Sequence, residues 1–216
     1  PTSTKSPTAT KDPTSTDNPT GSNTPTVSPD GEDRTYFYVN TEKSSYKIEK
    51  NICRPAVKPN ILKTEADILK KLEHIIFPYH LIEEQSDLFE GKRVTLNIFD
   101  EAYFKEAFPG AYNYLKSFKT ELAKRDNGNK LYEKWYAYGR NQGLTLLGKK
   151  LLFPYISDHP YFVYTDIEDL LFYNGFAVIS NDEQELKVVQ RILNSRLFWF
   201  YLSHVSRPYE NNYYSM

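Results

Sequence analysis

The stretch Gly110-Ala111-Tyr112-Asn113-Tyr114-Leu115-Lys116-Ser117-Phe118-Lys119-Thr120-Glu121-Leu122-Ala123-Lys124-Arg125 decides the fold class. Ala111, Tyr114, Leu115, Phe118 and Leu122 recur at steps of three and four. One face of a helix over these residues is therefore apolar and must find a core. Asp126-Asn127-Gly128-Asn129 ends it, because these residue types accept left-handed backbone angles. Asp100 is positioned to cap a preceding helix, which ends near Phe108-Pro109, where Pro forbids continuation.

Outward from this helical pair the sequence reads as strands. Residues 35–39 and Val94 to Ile98 are short apolar runs of strand composition. His74-Ile75-Ile76-Phe77-Pro78-Tyr79 and Lys150-Leu151-Leu152-Phe153-Pro154-Tyr155 are near-copies, both predicted to be buried strands that stop at Pro. Further strands are expected near 160–164 and 171–179, with an acidic turn between them. Thr64 and Asp67 form a capping-box pattern for a short helix through Leu72. Residues 183–204 predict one last helix, capped by Asn181 or Asp182, with Leu186, Val189, Leu193 and Leu197 as its core stripe. No strand–helix–strand unit repeats. The expectation is α+β, a single mixed domain of short strands and several helices.

Composition divides the chain in two. Residues 1–33 hold six Pro, nine Thr and five Ser, with Ala9 and Val27 as the only aliphatics, whereas all 33 aromatic residues lie in 34–216. Pro-Thr recurs at positions 1, 7, 13, 19 and 25, a hexapeptide repeat. Such a segment buries too little apolar surface to offset its ordering entropy, so 1–33 is expected to be a disordered linker and 34–216 the folded domain. Extended, the linker reaches roughly 100 Å at about 3.1 Å per residue. A Thr/Pro tract can also be a surface stalk, but no usable Asn-x-Ser/Thr sequon occurs, since Asn18 precedes Pro19.

The net charge of −1 hides an uneven distribution. Residues 158–185 hold seven acidic residues and no Lys or Arg, while 121–150 hold seven basic against three acidic and 186–216 four basic against Glu210 alone. A locally positive face on a neutral molecule suits a module that meets a polyanion. Cys53 is the only cysteine, which excludes an internal disulfide and a Cys-based zinc site. The four His show no metal-ligand spacing, and no apolar run approaches the ~20 residues of a bilayer span.

The two basic regions contain two unusual stretches, Trp135-Tyr136-Ala137-Tyr138-Gly139-Arg140-Asn141-Gln142-Gly143 and Ser206-Arg207-Pro208-Tyr209-Glu210-Asn211-Asn212-Tyr213-Tyr214-Ser215. Arg140 matches the guanine edge, and Asn141 or Gln142 the adenine edge, of a DNA major groove. Gly139 allows a turn that would carry them at its tip. Trp135 is expected in the core; Tyr136 and Tyr138 either pack or touch DNA. Arg207, held on extended backbone before Pro208, can reach a phosphate or base. Tyr209, Tyr213 and Tyr214 offer stacking faces beside an opened base pair, or alternatively form a packing corner. The carboxylate pairs Asp100/Glu101 and Glu83/Glu84 are read as a helix cap and a solvated turn, not as a nuclease or glycosidase site.

The ordered set Phe108 to Asp126, Trp135 to Leu144, Tyr173 to Val178, Leu193 to Tyr201 and Ser206 to Ser215 resembles the C-terminal specificity domain of TaqI-type adenine-specific DNA methyltransferases, including fused restriction–modification enzymes. The resemblance covers roughly Arg54 to Met216. It implies double-stranded DNA as partner and a methyltransferase catalytic domain that precedes this one in the same chain, or sits in a partner subunit. That domain would bind S-adenosylmethionine and flip the target adenine. It also implies a cytoplasmic protein. The family's catalytic tetrapeptide, Asn/Asp-Pro-Pro-Tyr/Phe, is absent here, since Asn18-Pro19-Thr20 fails at its third position, and no G-x-G occurs. No catalytic, cofactor or metal residue is therefore assigned in this segment. One departure stands out: Glu210, Asn211 and Asn212 replace glycines usual between Arg-Pro-Tyr and Tyr-Tyr-Ser. Asn tolerates the left-handed angles that such a turn needs. A surface-displayed interaction domain on the Thr/Pro stalk and a stand-alone specificity subunit are the competing readings.

Overall fold

The computed structural model describes residues 26–42, 44–85, 92–128, 131–139 and 143–216. The hexapeptide repeat up to residue 25 lies outside them. In chain order the elements are β1 (Thr26–Val27), β2 (Gly31–Glu32), β3 (Tyr36–Asn40), β4 (Ser45–Glu49), β5 (Cys53–Val57), α1 (Ala66–Lys70), β6 (Glu73–Ile76), β7 (Tyr79–Gln85) and β8 (Lys92–Ile98). There follow α2 (Glu101–Ala107), α3 (Pro109–Ser117), α4 (Lys119–Ala123), β9 (Lys150–Phe153), β10 (Ile156–Ser157), β11 (Val163–Thr165), β12 (Leu171–Phe172), β13 (Phe176–Ile179), α5 (Glu183–Leu193), α6 (Arg196–Val205) and β14 (Tyr214–Ser215). This is an α+β domain, as the sequence predicts.

The strands form several small sheets: β1-β6-β5-β12, β11-β9-β13, β2-β3-β4, the β7-β8 hairpin and the pair β10-β14. All pairings are antiparallel except β5 with β12, where Leu171 lies against Ala56 and Phe172 against Val57. The two near-copies found in the sequence become central strands of different sheets, β6 between β1 and β5 and β9 between β11 and β13. β9 stops at Phe153, directly before Pro154, and β6 at Ile76, two residues before Pro78.

The amino-terminal boundary differs from the compositional expectation. Val27 is 1% exposed and pairs through β1 with His74 of β6. Glu32 of β2 pairs with Phe37 of β3. Residues 26–33 thus belong to the fold and not to a disordered linker. One buried Val and a few ladder bonds suffice for this, and averaged composition conceals both.

The helical pair sits where the sequence puts it. Asp100 accepts a hydrogen bond from the Ala102 amide at 2.9 Å and caps α2. Pro109 opens α3, whose Ala111, Tyr114 and Leu115 enter the main core with Phe104, Ile48 and Tyr136. A remote carboxylate completes the α3 start: Gly110 and Ala111 amides donate to the two Glu49 carboxylate oxygens, each at 2.9 Å. Gly110 is required there, since a Cβ would lie 1.8 Å from the Lys47 carbonyl oxygen. The expected single helix breaks at Phe118 into α3 and α4. Asp126 (φ 48°) and Asn127 (φ 55°) then take left-handed angles in the stop turn.

The last helix also divides, which corrects the single helix expected over 183–204. Asp182, not Asn181, caps α5, accepting from Gln184 at 2.8 Å and Glu185 at 3.2 Å. At the break, the Asn194 side chain accepts from the Phe162 amide and donates to the Phe162 carbonyl, both at 2.9 Å. Ser195 starts α6 by accepting from the Phe198 amide at 3.1 Å. This restart turns Leu197 outward, so it is 78% exposed and not part of a core stripe.

Candidate nucleic-acid interface

The stretch from Trp135 to Gly139 is built as a set of turns clamped onto the core, not as a strand. Its organiser is Arg125, which is 5% exposed. The guanidinium donates from Nε to the Leu122 carbonyl (2.8 Å), from Nη1 to Ala137 (2.6 Å) and from Nη2 to Trp135 (2.8 Å). Its face covers the Tyr132 ring, 4.3 Å from the centroid. Burial pushes its pKa down from the ordinary value. The three carbonyls and the ring offset that desolvation, and the group fixes the backbone leading into position 139. Trp135 packs as the sequence suggests: its indole N–H donates to Glu101 at 2.9 Å, and Tyr112 donates to the same oxygen at 2.9 Å. These two donors hold the Glu101 carboxyl below its usual range.

Tyr136 and Tyr138 both lie in the core. The Tyr136 hydroxyl donates to the Phe99 carbonyl at 2.8 Å, and its ring is 1% exposed. The Tyr138 hydroxyl donates to the Ile76 carbonyl at 2.5 Å, and its amide donates to the Tyr79 hydroxyl at 2.5 Å. Enclosure pushes both phenols far above their normal pKa. The expectation that either touches DNA is corrected, since an enclosed ring whose hydroxyl serves a backbone carbonyl has no face to offer. Arg140, Asn141 and Gln142 lie outside the described residues. On their far side Gly143 has φ +90°, an angle that favours Gly.

The second stretch is a surface hairpin. The Tyr209 amide donates to the Tyr213 carbonyl at 2.7 Å, and the Ser215 amide to the Arg207 carbonyl at 3.1 Å. Asn211 (φ 57°) and Asn212 (φ 60°) take the left-handed angles expected of the glycine replacements. Pairing of β14 with β10 and a bond from the Met216 amide to the Tyr155 carbonyl (2.9 Å) fasten the hairpin to the body. Arg207 is exposed, with its guanidinium carbon 5.4 Å from the Tyr209 ring centroid. Tyr209 and Tyr213 remain open at 40% and 38% exposure. Tyr214 is half-buried, edge-on to Trp199 at 5.5 Å, and Trp199 stacks on His159 at 6.1 Å. The packing-corner alternative thus describes Tyr214, while Arg207, Tyr209 and Tyr213 form the open part.

Much of the positive charge anticipated over 121–150 is taken up by partners within the protein, at the surface or in the interior. Lys134 pairs with Asp100 (3.3 Å) and Lys149 with Glu183 (2.9 Å). The fully buried Lys150 ammonium donates to the carbonyls of Leu146 (3.1 Å), Glu168 (3.1 Å) and Leu170 (2.8 Å), and burial lowers its pKa to about 8. Lys187 also pairs with Glu183 at 2.6 Å, and the two ammonium groups hold that carboxyl at about 2. Arg191, Arg196 and Arg207 are exposed and form no ion pair among the described residues.

Sequence reasoning missed Arg125 as an organiser, because an Arg ahead of a turn carries no local mark of burial. Cys53 is buried, and desolvation raises its thiol to about 12, which makes it inert at neutral pH. Among the described residues no cluster of His, Cys, Asp and Glu could hold a metal ion, and no helix is long and apolar enough to cross a membrane. Neither a scan against protein-family models nor a search of curated proteins returned a match for this chain.

Proposed function

We propose that the chain reads double-stranded DNA as the specificity domain of an adenine-specific DNA methyltransferase, in the cytoplasm and within a restriction–modification system. The observation that carries this reading is the 206–215 hairpin, a surface element fastened to β10, whose Arg207 lacks a carboxylate partner among the described residues and lies beside the open ring of Tyr209, with Tyr213 exposed on the same hairpin. A guanidinium can take guanine O6 and N7, or two phosphate oxygens, in one plane. Open phenol rings on the same hairpin can stack on a base that has lost its partner. In this reading Arg140, Asn141 and Gln142 supply further base contacts. A linked catalytic domain, or a separate subunit, binds S-adenosylmethionine and transfers the methyl group. This segment then contributes position and selectivity, not chemistry.

The test is selection from a library of random 20-base-pair duplexes by the purified chain at low salt, followed by sequencing. The expected result is enrichment of one short motif. Arg207→Ala and Arg140→Ala should each weaken binding to that motif by about 1–3 kcal/mol, and Arg140→Ala should relax one base position. A bound pool as random as the input would overturn the reading.

A further inference from the structure

Helix α6 turns an apolar stripe to solvent. Leu197, Phe200, Tyr201 and Val205 follow one another at helical spacing and are 78%, 63%, 62% and 59% exposed. The opposite side of the helix is anchored: Phe198 meets Phe162 edge-on at 5.8 Å, and Trp199 meets Tyr214. The stripe is therefore the outer face of a seated helix. Val188 and Ile192 on α5 add two more exposed apolar side chains, at 54% and 58%. The four α6 side chains alone expose on the order of 400 Å², comparable to the largest apolar patch of a typical soluble monomer, which is often functional.

The charge carried by α5 and α6 themselves narrows what can cover the stripe, Glu65 meeting α5 through the Gln190 side chain. Arg191 and Arg196 are exposed and free of ion pairs among the described residues, and the sequence has no acidic residue from 186 to 209. A second copy meeting face to face would oppose these like charges. Residues 1–25 carry Ala9 as their only aliphatic side chain, no aromatic, and five Pro spaced six apart, a pattern that offers no apolar face at the three-and-four spacing of a helical stripe. Phosphate would engage the two guanidinium groups but gain nothing from Leu197, Phe200 or Val205.

We propose that α6 is a docking ridge for an amphipathic helix of a separate protein, whose apolar face is bordered by Asp and Glu. Its apolar side chains would interleave with Leu197, Phe200, Tyr201 and Val205, and its acidic border would meet Arg191 and Arg196. This inference does not depend on the DNA reading.

Two synthetic helical peptides with the same Leu-rich face, one bordered by Glu and one by Lys, test it by fluorescence anisotropy against the whole chain. The Glu-bordered peptide should bind at least tenfold more tightly. Leu197→Ser/Phe200→Ser should weaken that binding at least tenfold with unchanged circular dichroism, since both side chains are exposed. Arg191→Glu/Arg196→Glu should reverse the preference between the peptides. The proposal is overturned if neither peptide binds, or if both bind alike. It is equally overturned if sedimentation shows the chain self-associating through a contact that Leu197→Ser/Phe200→Ser removes, or if that variant loses duplex binding instead.

Discussion

Replacing Arg125 with Met keeps an unbranched side chain of similar reach but deletes a guanidinium that serves three backbone carbonyls. Each charge-assisted bond is worth about 1.5–3 kcal/mol, so the gross loss is roughly 4.5–9 kcal/mol. Against this, burying the guanidinium already costs several kcal/mol, the same desolvation that depresses its pKa. The net destabilisation should be about 3 kcal/mol, with the carbonyls of Leu122, Trp135 and Ala137 left to find water. For a domain of this size each kcal/mol moves Tm by about 2–4 °C, so the variant should melt about 6–12 °C lower. Thermal and urea unfolding followed by circular dichroism read the change, the urea midpoint falling with an unchanged slope. Arg125→Lys should fall between wild type and Arg125→Met, because an ammonium carries its donors on one nitrogen and cannot reach all three carbonyls that Nε, Nη1 and Nη2 of the guanidinium serve from separate positions. A fall in Tm below about 2 °C for Arg125→Met would refute the clamp.

Three further outcomes are expected. Gly110→Ala would place a methyl group 1.8 Å from the Lys47 carbonyl, displacing α3 from Glu49 and destabilising the protein by about 2–3 kcal/mol in urea titration. Tyr138→Phe should lose about 1–2 kcal/mol of stability by leaving the Ile76 carbonyl unpaired, yet retain the motif enriched from the duplex library; a changed motif would restore Tyr138 as a contact. The Glu183 carboxyl is held at about 2, below its ordinary 4.5, so its contribution is present above 4.5 and is lost as pH falls towards 2. Glu183→Gln should therefore flatten the fall of Tm across that window, and an unchanged acid limb would exclude this pair of lysines as its cause.

Where a local hydrogen bond decides the backbone, the sequence was readable. The Asp100 and Asp182 caps, the left-handed Asp126-Asn127 stop and the Asn211-Asn212 turn all follow from side chains that act within four residues of themselves. Reading failed where the deciding partner is remote. The break between α5 and α6 depends on the Phe162 backbone clasped by Asn194, and no periodicity around 183–204 reports it. The candidate site shows the same division. The hairpin after Ser206 was legible from its Asn and Pro, whereas Tyr136 and Tyr138 were drawn inward by the carbonyls of Phe99 and Ile76, far away along the chain. Charge counting overestimated the positive face because Arg125 and Lys150 serve carbonyls from the inside.

The parallel seam between Ala56-Val57 and Leu171-Phe172 has a consequence for how this domain can change. It joins early and late parts of the polypeptide in one sheet, so neither part can be exchanged as a cassette without the other. Recombination that imports a new carboxy-terminal half from a relative must bring a matching edge for the strand at 53–57, or the graft leaves an open ladder. Substitutions confined to the hairpin tip at 209–213 leave that seam untouched.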